Sequence, residues 1–349
     1  MMLDLAAKCP SLEYLGFKVG ADQWTNSLDP VLEHFKHDHE GPLRDTRDHF
    51  AEAVREIELP VSLQRVKLDF ISNIDDAISE QRKPQPNLVY PRKYDPFSSS
   101  LHLLSLHLRK MEIRVMADET SFWPYDSSTT PSWPNLETPK VMFHIGTPSG
   151  SWYIQGPSGE GRYDKGERIQ EDIAYPPFED SASDEEWHYS SLENSCRDLP
   201  AFRVMPVDET ITPFLDSFAR AAASMPKLKE ALLWASLEFH QGDAEEEESE
   251  NEQEGVDEEE KTDAEEIEAE DQGETEESSE DFNRTAIALY PDDGLAWGIA
   301  YVAPGGLAFD MGENNPSSRQ LWWRVGQWRP SKNFSSYFRV LAKCKATVS

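Results

Sequence analysis

Leu101-His102-Leu103-Leu104-Ser105-Leu106-His107-Leu108 opens the stretch, residues 101–156, whose reading decides the fold. Leu104, Leu106 and Leu108 alternate with polar residues, and Met111, Ile113 and Val115 repeat the alternation. Trp133-Pro134-Asn135-Leu136 then leads into Val141-Met142-Phe143-His144-Ile145. Successive side chains of a strand point to opposite faces, so period-two alternation predicts half-buried strands here. Gly146-Thr147-Pro148-Ser149-Gly150 is a turn signal ahead of Ser151-Trp152-Tyr153-Ile154. Together they predict a hairpin, and with it an antiparallel element at the sheet edge.

Working outward, the phrase around Trp133 recurs. Cys9-Pro10-Ser11-Leu12-Glu13-Tyr14-Leu15-Gly16-Phe17-Lys18-Val19 is one copy, and Leu59-Pro60-Val61-Ser62-Leu63-Gln64-Arg65-Val66-Lys67-Leu68-Asp69-Phe70 is another. Met225-Pro226-Lys227-Leu228-Lys229-Glu230-Ala231-Leu232-Leu233-Trp234-Ala235-Ser236-Leu237 is the fourth. Each places Pro, then Leu two or three residues on, then an apolar segment of strand length. Helical patterns precede the first copy, over residues 1–8, and the last, where Ile211, Phe214, Leu215, Phe218 and Ala222 share one face. Proline ends a helix and cannot donate to a ladder, so the unit reads as helix, tight turn, strand. One such unit cannot bury its own apolar face; copies must stack. The fold class expected is α/β: one irregular leucine-rich-repeat-like solenoid over residues 1–349, with a mainly parallel sheet, helices on one side and long insertions. Pro10, Pro60, Pro134 and Pro226 lie 50, 74 and 92 residues apart, against about 20–29 in a regular leucine-rich repeat.

Further helices are expected over 29–36, 43–56 and 331–343, and further strands over 285–290, 295–302 and 321–328. Residues 81–100 and 157–199 are polar and turn-rich and read as loop insertions. Residues 243–281 carry 23 Asp and Glu against a single basic residue, Lys261, so that about −22 of the net charge of −33 sits there. Core elements flank this run on both sides. An acidic insertion over 241–282, too charged to fold alone and expected to be disordered, therefore interrupts one domain. Ser249, Ser278 and Ser279 stand just ahead of acidic residues and suit an acid-directed kinase.

The acidic balance excludes the usual basic footprint of nucleic-acid binding. No apolar run approaches the roughly 20 residues a membrane helix needs. Cys9, Cys196 and Cys344 are far apart and odd in number, which argues against a disulfide framework and a zinc module and for a cytoplasmic or nuclear setting. His34, His37 and His39, with His49 nearby, resemble a metal cluster only superficially; Lys36 sits among them and a solvated helix end accounts for them. Gly156, Gly159 and Gly161 lack the Lys-Ser/Thr of a P-loop and read as a turn. No nucleophile motif is present, so no catalytic residue, cofactor or metal is expected. Aromatic residues are the better candidates. Trp322 and Trp323 are adjacent in a predicted strand and must face opposite ways; with Arg324, Trp328 and Trp152 they form the expected partner-binding set.

Taken together, the strand before Trp133-Pro134-Asn135-Leu136, the Trp152-Tyr153 hairpin and the Met225-Pro226-Lys227-Leu228 helix end form a pattern. With Trp322-Trp323-Arg324-Val325-Gly326-Gln327-Trp328-Arg329-Pro330 it resembles the C-terminal repeat region of filamentous-fungal F-box proteins. The resemblance implies a substrate-recognition module, its repeats holding a target protein. In that group an F-box recruits the adaptor of a cullin-type ubiquitin ligase. This sequence begins inside a repeat, with no Leu-Pro-x-Glu-Ile phrase ahead of it, so adaptor binding is expected only of a longer chain. An alternative is an acidic-run protein that binds basic partners of histone or ribosomal-protein type. A second is an enzyme whose site is assembled from dispersed residues.

Overall fold

A computed structural model describes residues 2–18, 43–71, 81, 84–124, 131–169, 201–237, 295–304, 318–326, 328 and 347–348. In chain order the elements are α1 (Met2–Ala7), β1 (Tyr14–Lys18), α2 (Leu43–Glu56), β2 (Arg65–Asp69), β3 (Pro86–Asn87), α3 (Pro96–Ser105) and β4 (Lys110–Val115). A single 3-10 turn (Glu119–Ser121) precedes β5 (Thr138–Phe143), β6 (Ile154–Gln155), β7 (Glu167–Arg168) and β8 (Met205–Pro206). Then come α4 (Asp208–Ala223), β9 (Glu230–Leu237), β10 (Leu295–Val302), β11 (Gln320–Arg324) and β12 (Thr347–Val348). The main sheet has the order β1-β2-β4-β5-β9-β10-β11-β12. Its first five strands are parallel; β10 is antiparallel to both of its neighbours, β9 and β11, and β12 pairs parallel to β11. The protein is α/β with a mostly parallel central sheet.

Each of the first five strands is entered in the same way. Leu12, Leu63, Leu108, Leu136 and Leu228 each stand two residues ahead of the strand that follows. In four of the five, the leucine N–H closes a tight turn by donating to the carbonyl three residues back: Cys9, Pro60, Ser105 and Met225, at 2.9–3.3 Å. Proline at the second position of two of these turns supplies the fixed φ that such a turn wants. The leucines lie in or against one apolar core, where Leu63, Leu108 and Leu136 are buried outright. Between leucine and strand stands one more residue, and its carbonyl joins unit to unit. Glu13 O accepts from Gln64 and Arg65, Gln64 O from Arg109 and Lys110, Arg109 O from Glu137 and Thr138, and Glu137 O from Lys229 and Glu230, all at 2.7–3.2 Å. The carbonyl staircase sets every strand in the same register with its neighbour.

Alternation does the rest. Val66, Leu68, Met111, Ile113, Val115, Val141, Phe143, Leu233, Ala235 and Leu237 point to one face and join the core. There the helices cover them. Phe70, just after β2, meets Phe50 of α2 and Phe97 of α3 edge to face, and Phe50 and Phe97 are tilted on each other, with centroids 4.8–5.4 Å apart. Phe214 of α4 packs on Phe143 and Tyr153 at 5.3 and 5.0 Å. Trp133, fully buried, donates its indole N–H to Ser105 Oγ at 2.7 Å and meets the His102 ring edge-on.

The Leu101–Leu108 alternation is not a strand. Asp95 caps α3, accepting from the Phe97 and Ser98 N–H groups, and Pro96 occupies its first turn. Leu101 and Leu104 are buried, three residues apart, while Leu103 is 40% exposed. A leucine-rich octet fits both periods, and the Asp-Pro start decides for helix. Residues 81–100 are thus not only loop: they hold β3, which pairs with β7, and the start of α3. Leu108 belongs to a fifth unit that the proline phrase misses. The expected reversal at Gly146 is present as an isolated antiparallel bridge to Trp152, beside the main sheet. The antiparallel part of that sheet lies instead at β9, β10 and β11. The helices expected over 29–36 and 331–343, the strand over 285–290 and the acidic insertion over 241–282 lie outside the described residues.

Leu136→Ala removes a wholly buried plug between helix layer and sheet, and its expected cost is about 2–5 kcal/mol in urea unfolding. Val61, fully exposed in the turn of the second unit, serves as control; Val61→Ala is expected to change stability by less than about 0.5 kcal/mol. Equal losses in the two variants would remove the plug role.

Candidate functional site

The face of the sheet opposite the helices is built by the other half of the alternation. Tyr14, Gly16 and Lys18 lie beside Arg65, Lys67 and Asp69. These in turn lie beside Lys110, Glu112 and Arg114, and then Thr138, Lys140 and Met142. Lys140 and Met142 pair with Leu232 and Trp234, and the rows continue through Ala300 and Gly298 to Trp322 and Arg324. Glu230 on β9 lies opposite Val302.

Seven basic and three acidic side chains stand on this face, in a chain with 33 basic and 66 acidic residues. The charge balance of the molecule is inverted there. The acids sit between cations: Lys67 Nζ is 3.6 Å from Glu112, Arg114 is 3.4 Å from Asp69, and Lys140 is 3.2 Å from Glu230. Burial raises the Glu112 carboxyl above its usual value, opposed by Lys67 and Lys140. Lys18, Arg65, Lys110 and Arg324 are exposed and make no ion pair with a described carboxylate. Arg65 lies 5.7 Å over the Tyr14 ring, which is 46% exposed. Beyond this charged part, Met142, Leu232, Trp234, Ala300 and Val302 form a second apolar cluster, with half-buried Trp322 packed on it. The Trp322 indole N–H is buried and has no hydrogen-bond partner among the described residues.

The aromatic residues expected to bind a partner are not brought together. Trp322 and Trp323 do face opposite ways, Trp322 on the outer cluster and Trp323 against the main core. Arg324 is exposed beside Trp322's row. Trp328 is buried, its N–H donating to Asp208 at 2.8 Å. Trp152 is buried under the Arg203 guanidinium, 3.9 Å above its ring. Neither offers surface. The basic rows were missed because no two of their cations are adjacent in a way that looks like a patch, apart from Arg109-Lys110. The available signal was alternation: Arg65-x-Lys67 and Lys110-x-x-x-Arg114 put like charges on one side of a strand.

Two buried polar clusters lie elsewhere. Arg203 donates to the carbonyls of Gln81, Ile154 and Gly161 at 3.0–3.2 Å and pairs with Asp164. A side chain at residue 161, whose φ is +67°, would meet that guanidinium, so glycine is required there. The glycines around it are a turn held by Arg203. At the C-terminal end of β4, Arg47 donates to Met116 O at 3.0 Å, pairs with Asp95 and covers the Phe97 ring at 4.0 Å. Ser98 Oγ donates to Asp95 at 2.6 Å and accepts from the Asp118 N–H at 3.0 Å. Tyr153 donates to Ala117 O at 2.8 Å. These bonds lock α2, α3 and β4 together. Among the described residues no group of three or more metal-ligating side chains occurs, and no described helix is long and apolar enough to cross a membrane. His34, His37 and His39 lie outside the described residues; His49 is exposed on α2.

The lock contains a proton-sensitive member. Burial, and next the charge of Asp95, push the Asp118 carboxyl up to about 7. A folded value above the unfolded 3.8 favours the fold fully below that pH, and the benefit is lost as pH rises through about 7. His102 runs the other way: burial lowers it from 6.5 to about 4, so its contribution is present above 6.5 and lost as pH falls through about 4. Asp118→Asn keeps an oxygen for the Thr120 N–H it accepts from. Denaturation at pH 5 and pH 8 is expected to show the variant gaining on the order of 2 kcal/mol over the parent between the two. An identical pH slope in both proteins would remove the assignment. In comparisons with known protein families, curated proteins and solved structures, nothing matches the chain.

Proposed function

We propose that the chain is a non-catalytic protein-recognition module, a leucine-rich-repeat-like solenoid that holds a partner on the outer face of its sheet. This is the role of the repeat regions it resembles in F-box proteins. The observation that carries the reading is the inverted charge of that face, with Lys18, Arg65, Lys110 and Arg324 exposed on it. Exposed cations gathered on one face of a rigid sheet are elements of a partner-binding surface, because complementary charge steers encounter and fixes register. Recruitment of a cullin-type ligase adaptor belongs to this proposal only for a longer chain that carries an F-box. A second reading has the 243–281 run, at about −22, attract basic clients such as histones or ribosomal proteins.

Affinity capture from the native cell separates the two readings. The baits are the full chain, a chain lacking 243–281, the triple variant Arg65→Glu, Lys110→Glu, Arg324→Glu, and Lys165→Glu as an exposed control off the sheet. The expected result is a partner retained without the run, retained by the control and reduced about tenfold or more by the triple variant, since each reversed charge acts on encounter and on the bound state. The far-ultraviolet spectrum of the triple variant should match the parent. Partners lost only with the run, and basic, would replace the first reading with the second.

A further inference from the structure

We propose that the outer sheet face is occupied, in the isolated chain, by the chain's own acidic run at 243–281. This rests on the reading of that face as the binding surface and names its regulation. The run lies outside the described residues; the surface it would meet does not. Three observations converge on it.

The first is charge. Lys18, Arg65, Lys110 and Arg324 are exposed on one face without a described carboxylate against them, while 23 of the chain's 66 acidic residues sit in the run. The second is connection. The run leaves the sheet after Leu237 of β9 and returns at Leu295 of β10, two neighbouring strands of this same sheet. From β9 to β1 is four strand spacings, about 19 Å at about 4.8 Å each. About six extended residues cross that distance, and 57 lie between Leu237 and Leu295. A tether this short holds its segment at roughly millimolar effective concentration. The third is exclusion of rivals. A free acidic peptide or a nucleic acid approaches a molecule of net charge −33 and is repelled at long range, whereas the tethered run has no approach to make. An external partner must then displace the run, and a basic client that captures the run uncovers the face.

Zero-length carbodiimide coupling of the full chain tests this, because it joins a lysine amine to a carboxylate only where the two are in contact. Equal amounts of light and nitrogen-15-labelled protein are mixed first, so that links within a chain and between chains differ in mass. Lys18 and Lys110 are expected to couple to Asp or Glu of 243–281 within one chain. The yield should exceed that of exposed Lys165 by about fivefold or more and collapse at 0.5 M salt, where charges more than about 4 Å apart are screened. In parallel, acetylation of Lys18 and Lys110 should quicken when the run is deleted, with Lys165 unchanged. Coupling spread over all three lysines in proportion to their exposure would overturn the proposal. So would links found mainly between light and heavy chains, which would give the face to a second copy. Either failure leaves the capture experiment on the triple variant standing as the test of partner binding.

Discussion

Everything in this molecule hangs on one small junction repeated five times. A leucine enters the core two residues before each of the first five strands of the sheet, and in four of the five the carbonyl after it accepts two N–H groups from the next unit. The leucine removes about 2 kcal/mol of apolar side chain from water while stopping the gap between helix layer and sheet. The carbonyl fixes register, and with register comes facing: a slip of one residue would turn every side chain of a strand to the wrong side. Because the junction is local, the connections between copies are free to vary. The leucines are 51, 45, 28 and 92 residues apart, yet the strands line up as if the spacing were constant.

The same junction places the charges. Gln64, Arg109, Glu137 and Lys229 occupy the staircase position in successive units, and their side chains touch along the rim. Arg109 bonds Gln64 at 3.4 Å and Glu137 at 2.8 Å, and Lys229 pairs with Glu137 at 2.6 Å. These two ion partners hold the Glu137 carboxyl below its usual range, Lys229 first and Arg109 next. Exposed as Arg109 and Lys229 are, such pairs add little stability. Their value is in aligning the strands that follow, on which Arg65, Lys110 and Thr138 form the first outward row and Lys67, Glu112 and Lys140 the second. A sheet face assembled this way is rigid because it is built from strands, and its exposed charges are adjustable in sequence because Lys18, Arg65, Lys110 and Arg324 touch water rather than core.

Half of this architecture was legible beforehand. Pro-x-Leu ahead of an apolar segment is a local signal, and it found four of the five units because turn chemistry and burial of a leucine are properties of a few adjacent residues. It missed the unit at Leu108, where Ser105-Leu106-His107-Leu108 closes the same turn without proline. It also misread the leucines before that turn. Leu101, Leu104 and Leu108 have helical spacing while Leu104, Leu106 and Leu108 have that of a strand, and what separates the two readings is a cap at Asp95, six residues ahead of Leu101, accepting two backbone N–H groups. Trp152 and Trp328 show the opposite limit. Their chemistry suits a surface anchor as well as a core, and only a buried guanidinium over one and Asp208 on the other consign both to the interior.

What the chain's sequence determined by itself is the unit: helix, turn, leucine, strand, each specified within about a dozen residues by propensity, capping and alternation. What only the tertiary structure decided is which units become neighbours, and hence which charges share a face. Arg65, Lys110, Lys140 and Arg324 are separated by up to 259 positions in the chain, and no local pattern ties them together. Strand pairing across long insertions sets Arg65 beside Lys110 on neighbouring strands, Lys140 one strand further on, and Arg324 on the same face three strands beyond that. The physical reason is that burial is a property of a residue's own segment, whereas an electrostatic surface is a sum over residues that meet only after the sheet has closed.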